Sequence, residues 1–187
     1  MSDYLSVLQE AVCFVVRHHP PKPQPQQLIT ALLEAEKNAK HSKLTYTSRQ
    51  LAGTWQLCFI TGTKKAQKRG GIILRSGRYI PRWAKIDLTY TPVIDDSSRT
   101  TGSLKNCIGL GQLKLILTGP SKFLTPKNIL SFDFTKITLK LGNINLYTGS
   151  IRGGEKTEIL FYEEGIQKQA FFSYFLIQDN LIAARGK

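Results

Sequence analysis

"LAGTWQLCFI", residues 51–60, is the stretch on which the fold turns. Side chains alternate across a strand with a period of two. Trp55, Leu57 and Phe59 therefore share one face, and Gln56, Cys58 and Ile60 share the other. Gly53 removes side-chain bulk just before a Trp that must turn inward. An alternating apolar run that opens on small residues predicts the first strand of a closed wall.

Downstream, the chain breaks into short β-type runs at 52–60, 71–74, 78–81, 84–91, 103–109, 112–118, 128–134, 136–141, 143–147, 157–162, 169–177 and 181–185. Gly, Pro, Asn or Asp stands between most of them, as in "TGT", "SGR", "DDSSRTTG" and "QDN". Many short strands with regular turn signals predict an antiparallel sandwich or barrel. The long crossover helices that a parallel sheet requires are not seen. "KIDLTYT" puts Ile86, Leu88 and Tyr90 on one face, and "TKITLKL" does the same with Ile137, Leu139 and Leu141. One apolar face and one wet face suit a barrel wall, and closure removes exposed edges. An interior bounded by about eight strands either fills with side chains or holds one small apolar ligand. Leu57, Phe59, Ile86, Leu88, Tyr90, Phe132, Phe134, Phe172 and Tyr174 are the residues expected to line it.

Upstream, residues 3 to about 18 carry Leu5, Leu8, Val12 and Val15 at helical spacing. "PPKPQPQQ" reads as a stiff extended linker, and Pro25 can start a second helix that runs to about Lys40. Residues 1–50 are thus expected to form an N-terminal helical segment and residues 51–187 the β-barrel. No run approaches the roughly 20 apolar residues that span a bilayer. "MSDYLSVLQEAV" lacks the basic leader and apolar run of a secretory signal. Cys13, Cys58 and Cys107 form no Cys-x-x-Cys pair and read as small apolar residues in a reducing compartment.

The formal net charge is +13, and residues 37–86 hold twelve Lys or Arg with no Asp or Glu. Such a segment attracts an anionic partner. Within it, Lys64, Lys65, Lys68, Arg69, Arg75, Arg78, Arg82 and Lys85 are interleaved with Tyr79 and Trp83, side chains that favour an interface. Each Lys or Arg near an anionic leaflet contributes roughly 1 kcal/mol. Peripheral membrane docking through these residues, Trp83 included, is one reading. The other is single-stranded nucleic-acid binding, supported by the aromatics and by Arg-Gly-Gly at 69–71 and 152–154, although both triplets also suit hairpin turns.

Catalysis finds less support. The sequence has no Gly-x-Ser-x-Gly, no phosphate loop and no metal-ligand spacing. His18, His19 and His41 lie near or before the expected barrel, and Asp95-Asp96 and Glu163-Glu164 are turn residues. A bilin lyase of lipocalin-like build would need a nucleophile in the cavity, yet Cys58 and Cys107 fall opposite the apolar sets of their strands. No enzymatic activity is expected.

The last strand, "LIAARGK", supplies a partner for Trp55. Arg185 can lay its guanidinium on the indole and close the barrel floor, a contact of about 0.5–2 kcal/mol. Gly53, Trp55 and Arg185 together make a lipocalin-like arrangement. The layout resembles the plastid lipid-associated protein family, the plastid fibrillins, and its cyanobacterial members. Their Leu-x-Gly-x-Trp-x-Leu opening is matched by Leu51, Gly53, Trp55 and Leu57, and their closing Leu/Asp-rich turn and Arg-Gly pair by Asp179, Leu181, Arg185 and Gly186. The likeness covers roughly residues 25–187; family members continue with a Gly-rich turn and a further apolar strand. It implies a lipocalin-like barrel at thylakoid membranes or plastoglobules. It further implies that the barrel binds a carotenoid, quinone or acyl lipid and serves membrane protection or lipid and pigment homeostasis.

Overall fold

The computed structural model describes residues 3–61, 77–95 and 99–186. The chain is mainly β, built around a nearly closed, barrel-like antiparallel sheet, with helices at the N-terminus. It divides into two compact units, described residues of Met1–Lys43 with Leu57–Arg82, and of Leu44–Gln56 with Trp83–Lys187. The division departs from the boundary expected at residue 50, because 44–50 go with the sheet, and 57–61 and 77–82 go with the helices.

In the first unit α1 (Asp3–Val16) packs on α2 (Pro25–His41). Leu8 and Ala11 of α1 and Leu28, Ala31 and Ala35 of α2 are buried. Pro25 takes the first helical position, where a missing N–H costs nothing, and the Gln24 N–H donates to Gln27 Oε1 at 2.9 Å. A two-stranded ribbon, β2 (Phe59–Ile60) with β3 (Arg78–Tyr79), joins this unit. Tyr79 is its anchor. The ring packs edge-on against Phe14 and Phe59, and its hydroxyl donates to the Pro23 carbonyl at 2.9 Å.

The second unit begins with α3 (Ser48–Leu51) and β1 (Gly53–Gln56). The strand expected over 52–60 therefore breaks. Residues 53–56 pair with β4 (Ala84–Asp95), Leu57 and Cys58 leave the ladder, and Phe59 enters the other unit. Gly53 is explained by its backbone. Its φ is +122°, where side-chain-bearing residues are strained, and a Cβ there would meet open space. The expectation that it clears room for Trp55 is corrected accordingly.

β4 is followed by β5 (Arg99–Leu110), β6 (Leu113–Leu124), β7 (Ile129–Phe132), β8 (Lys136–Leu141), β9 (Ile144–Ser150), β10 (Ala170–Gln178) and β11 (Leu181–Gly186). The main path runs β1-β4-β5-β6-β7-β10-β11, and β8 and β9 branch from β6. β6 makes the fork, since Leu113–Thr118 pair with β8 and Ser121–Leu124 pair with β7. Gly119 stands between the two arms, where a Cβ would collide with the Asp133 carbonyl. The run expected as a strand over 157–162 is instead a helix, α4 (Glu155–Phe161), entered through Gly154 at φ +55°.

The core lies where β4, β5, β6, β7 and β10 meet. Tyr46, Leu51, Tyr90, Leu104, Phe123, Leu130, Phe132, Tyr174 and Ile177 form it. Asn128 pins the entering chain beside it, since its Oδ1 accepts from the Tyr46 N–H at 2.8 Å and its Nδ2 donates to the Leu44 carbonyl at 2.7 Å.

Candidate functional site: the inner face of the sheet and its rim

Residues directly opposite in an antiparallel ladder point to the same face. The register therefore lays the inner wall out in rows. Tyr90 faces Leu104, which faces Gly119; Leu88 faces Asn106, Leu117 and then Ile137; Ile86 faces Ile108, Leu115 and then Leu139. The first row is buried and belongs to the core, whereas the apolar side chains of the other two are only partly buried. The packed core thus ends about one row beyond Tyr90, and the apolar face continues past it. Asn106 interrupts that face. Its Oδ1 is buried and has no hydrogen-bond partner, a costly arrangement for an amide oxygen.

The structure collects most of the expected lining residues here. Tyr90, Phe132 and Tyr174 are core members, and Leu88, Phe134 and Phe172 pack against them. Phe132 stacks on Phe172 at 4.9 Å between centroids. Ile86 lies on the same face two residues from Leu88. Burial pushes the Tyr174 phenol well above its ordinary pKa, with Tyr90 adding to the shift. Leu57 and Phe59 are corrected: Leu57 is exposed between strands, and Phe59 packs on Tyr79 in the helical unit.

Trp55 is half-buried on the inner face opposite Leu88, and its Nε1 donates to the Leu51 carbonyl at 2.8 Å. Arg185 sits opposite Ser173, between the inward Phe172 and Tyr174 positions, and so belongs to the outer face. The indole thus closes a local turn with Leu51, and Arg185, expected to stack on it, lies on the opposite face of the sheet.

The outer face is polar and basic. Lys105, Thr118 and Lys136 form one row, and Lys114 faces Lys140 in another. α4 covers part of this face. Lys122, buried beneath it, donates to the carbonyls of Phe161 at 2.9 Å and Glu164 at 2.7 Å. Burial lowers the pKa of Lys122, Arg99 lowers it further, and Glu164 opposes them. Beside it lies a cavity of about 320 Å³ lined by Gly102, Ser103, Thr118, Gly119, Pro120, Lys136, Glu158 and Tyr162. Its charged groups are already matched. Glu158 accepts from Thr135 Oγ1 and pairs with Lys136 at 3.7 Å. The Tyr162 phenol is shifted upward by burial and by Glu158. Sequence reasoning missed Lys122 and this cavity, because both depend on a helix read as a strand.

Of the expected docking residues, Lys64, Lys65, Lys68, Arg69 and Arg75 lie outside the described residues. Arg78 is exposed on β3, and Arg82 lies 5.6 Å over the Phe14 ring. Trp83 is 71% exposed, and Lys85 pairs with Asp87 at 3.4 Å. None of the three cysteines is in a disulfide, and burial pushes the Cys58 thiol up to about 11. Among the described residues no group of three or more His, Cys, Asp or Glu could hold a metal ion, and no helix is long and apolar enough to cross a membrane. No known family's sequence profile matches the chain, and no curated protein or solved structure does so either.

Proposed function

We propose that this protein is a non-catalytic carrier of an apolar small molecule that docks peripherally on anionic membranes. The molecule lies along the half-filled inner wall between the Leu88 and Ile86 rows. The observation that carries the reading is Asn106: a buried, unpartnered amide oxygen set among apolar side chains. A ligand with one hydroxyl or N–H would satisfy it while covering Leu115 and Leu139. That selects, among carotenoids, quinones and acyl lipids, those that carry a donor. The resemblance to plastid lipid-associated proteins adds the setting, photosynthetic membranes, and the basic composition supplies the attraction to them.

The test is uptake in buffer without membranes. Protein purified without detergent is extracted for lipid and pigment, then titrated with a hydroxylated carotenoid and its hydrocarbon parent. The hydroxylated compound should bind roughly tenfold tighter, and Asn106→Leu should erase that preference while keeping the binding. A colourless, lipid-free protein that takes up neither compound, nor a quinol nor a fatty acid, overturns the reading.

A further inference from the structure

The rows of the inner wall end in an exposed apolar rim. Ala84 faces Leu110, Leu110 faces Leu113, Leu113 faces Leu141, and Leu141 faces Ile144. The four large residues of this row are all exposed, Ile144 by 67%. They flank the turns of two hairpins, β5–β6 and β8–β9. Gly111 and Gly142 give those turns their positive φ, and a Cβ on either would meet nothing within 4 Å. The tips therefore project. They are also fixed side by side, because the Gly142 N–H donates to the Gln112 carbonyl at 2.9 Å.

One residue further in, the opposite face carries Lys85, Lys114 and Lys140 in a single row broken by Gly109. Lys114 and Lys140 are direct cross-strand partners, and like charges so placed repel. An anion near them relieves that repulsion.

From this arrangement we propose that the paired hairpin tips are the part of the molecule that enters an anionic lipid surface. Leu110, Leu113, Leu141 and Ile144 dip into the interface, and the lysine row meets the headgroups. This rests on the docking reading above and assigns it a place. Aliphatic tips suit acyl chains better than nucleobases, which stack on aromatic rings. Projecting turns backed by a cationic row match a surface that is apolar below and anionic above. Trp83, next to Ala84 at the start of the same row, reports the event.

The experiment is co-sedimentation of the full chain with phosphatidylcholine vesicles, with and without phosphatidylglycerol. Binding should require the anionic lipid and shift the Trp emission to the blue, and Trp83→Phe should remove the shift. Leu141→Asp with Ile144→Asp should weaken binding by at least about tenfold. Lys114→Gln and Lys140→Gln should each weaken it roughly fivefold. Circular dichroism confirms that the variants fold, and the conservative lysine variants, the exposed Lys114→Gln first, stand in if the tip variants do not.

Tip variants that bind vesicles as the wild type does overturn the proposal, whether docking then follows Lys64, Lys65, Lys68 and Arg69 or no basic residue. So does a single-stranded oligonucleotide that outcompetes the vesicles, or a dimer that dissociates with Ile144→Asp while vesicle binding is unchanged. The two readings fail separately. Ligand uptake in buffer tests the inner wall alone, and vesicle binding by protein that takes up no ligand leaves the tips standing.

Discussion

β6 gives one length to each of two arms, and the arms end differently. Along Ser121–Leu124 it meets β7, and the inward side chains there, Phe123, Leu130 and Phe132 among them, are buried. Along Leu113–Thr118 it meets β8, and Leu115, Leu117, Ile137 and Leu139 stay partly open. Both arms turn apolar side chains inward, Phe123, Leu130 and Phe132 on one and Leu115, Leu117, Ile137 and Leu139 on the other. What separates them is what lies across the sheet. The β7 arm continues into β10 and β11, whose Tyr174 and Ile177 join the core and whose Ile182 and Ala184 pack against it, while the β8 arm stops at β9, with Ile144, Leu146 and Tyr147 exposed. Alternation marks which face is apolar, and topology decides whether that face is filled.

The sharpest way to break this comparison is truncation on each side. Phe123→Ala should cost about 3–5 kcal/mol, because the ring is fully enclosed and its loss leaves a cavity. Leu139→Ala should cost under about 2 kcal/mol, since the side chain has less burial to lose. Urea denaturation measures both. Equal costs would mean that the two arms share one equally packed core.

The fork itself comes next. Gly119→Ala forces a methyl against the Asp133 carbonyl and should cost about 1–3 kcal/mol. Gly109→Ala, in the open arm, places its Cβ 3.6 Å from the Lys85 carbonyl, an ordinary contact, and should stay within about 0.5 kcal/mol of wild type. Thermal unfolding of the pair distinguishes a fork held by backbone contact from one that tolerates repacking.

Much of the wall was legible beforehand. "KIDLTYT" and "TKITLKL" lie in β4 and β8 with the expected faces, because alternation is a local signal. The inward placement of Leu88 and Tyr90 followed from it. The failures were of another kind. "TEILFY" is a short apolar run that suits helix or strand equally, and only the turn at Gly154 directs it into α4. Phe59 continued the alternation begun at Trp55, yet it packs on Tyr79, whose ring also meets Phe14, and both partners are remote in sequence. Arg99–Gly102 extend β5 beyond the expected 103–109 through residues of weak strand character, and Thr100 is fully buried among them. The orphaned Asn106 and the tip row are properties of register across β5, β6, β8 and β9, which no local pattern specifies.

The smallest expected effect concerns the lysines of the two arms. On the open arm Lys114 faces solvent, whereas on the packed arm Lys122 lies under α4 and holds two carbonyls. Lys122→Met takes the donor from the Glu164 carbonyl, while the Phe161 carbonyl keeps Gln169 Nε2, and should cost about 1–3 kcal/mol at neutral pH. Lys114→Met should change stability little. The two differ in pH dependence as well. Burial depresses the folded-state pKa of Lys122 below its ordinary value of 10.5. Between the two values the native state has lost a proton that the unfolded chain still carries, so this group's contribution to stability rises with pH. The buried Tyr174 acts oppositely above about pH 10, because its unfolded phenol ionises first. Denaturation series from neutral pH to about pH 10 should therefore show the deficit of Lys122→Met widening as pH rises. A constant deficit would mean that Lys122 keeps its proton as readily in the fold as in water, and that the packed arm excludes water no better than the open one.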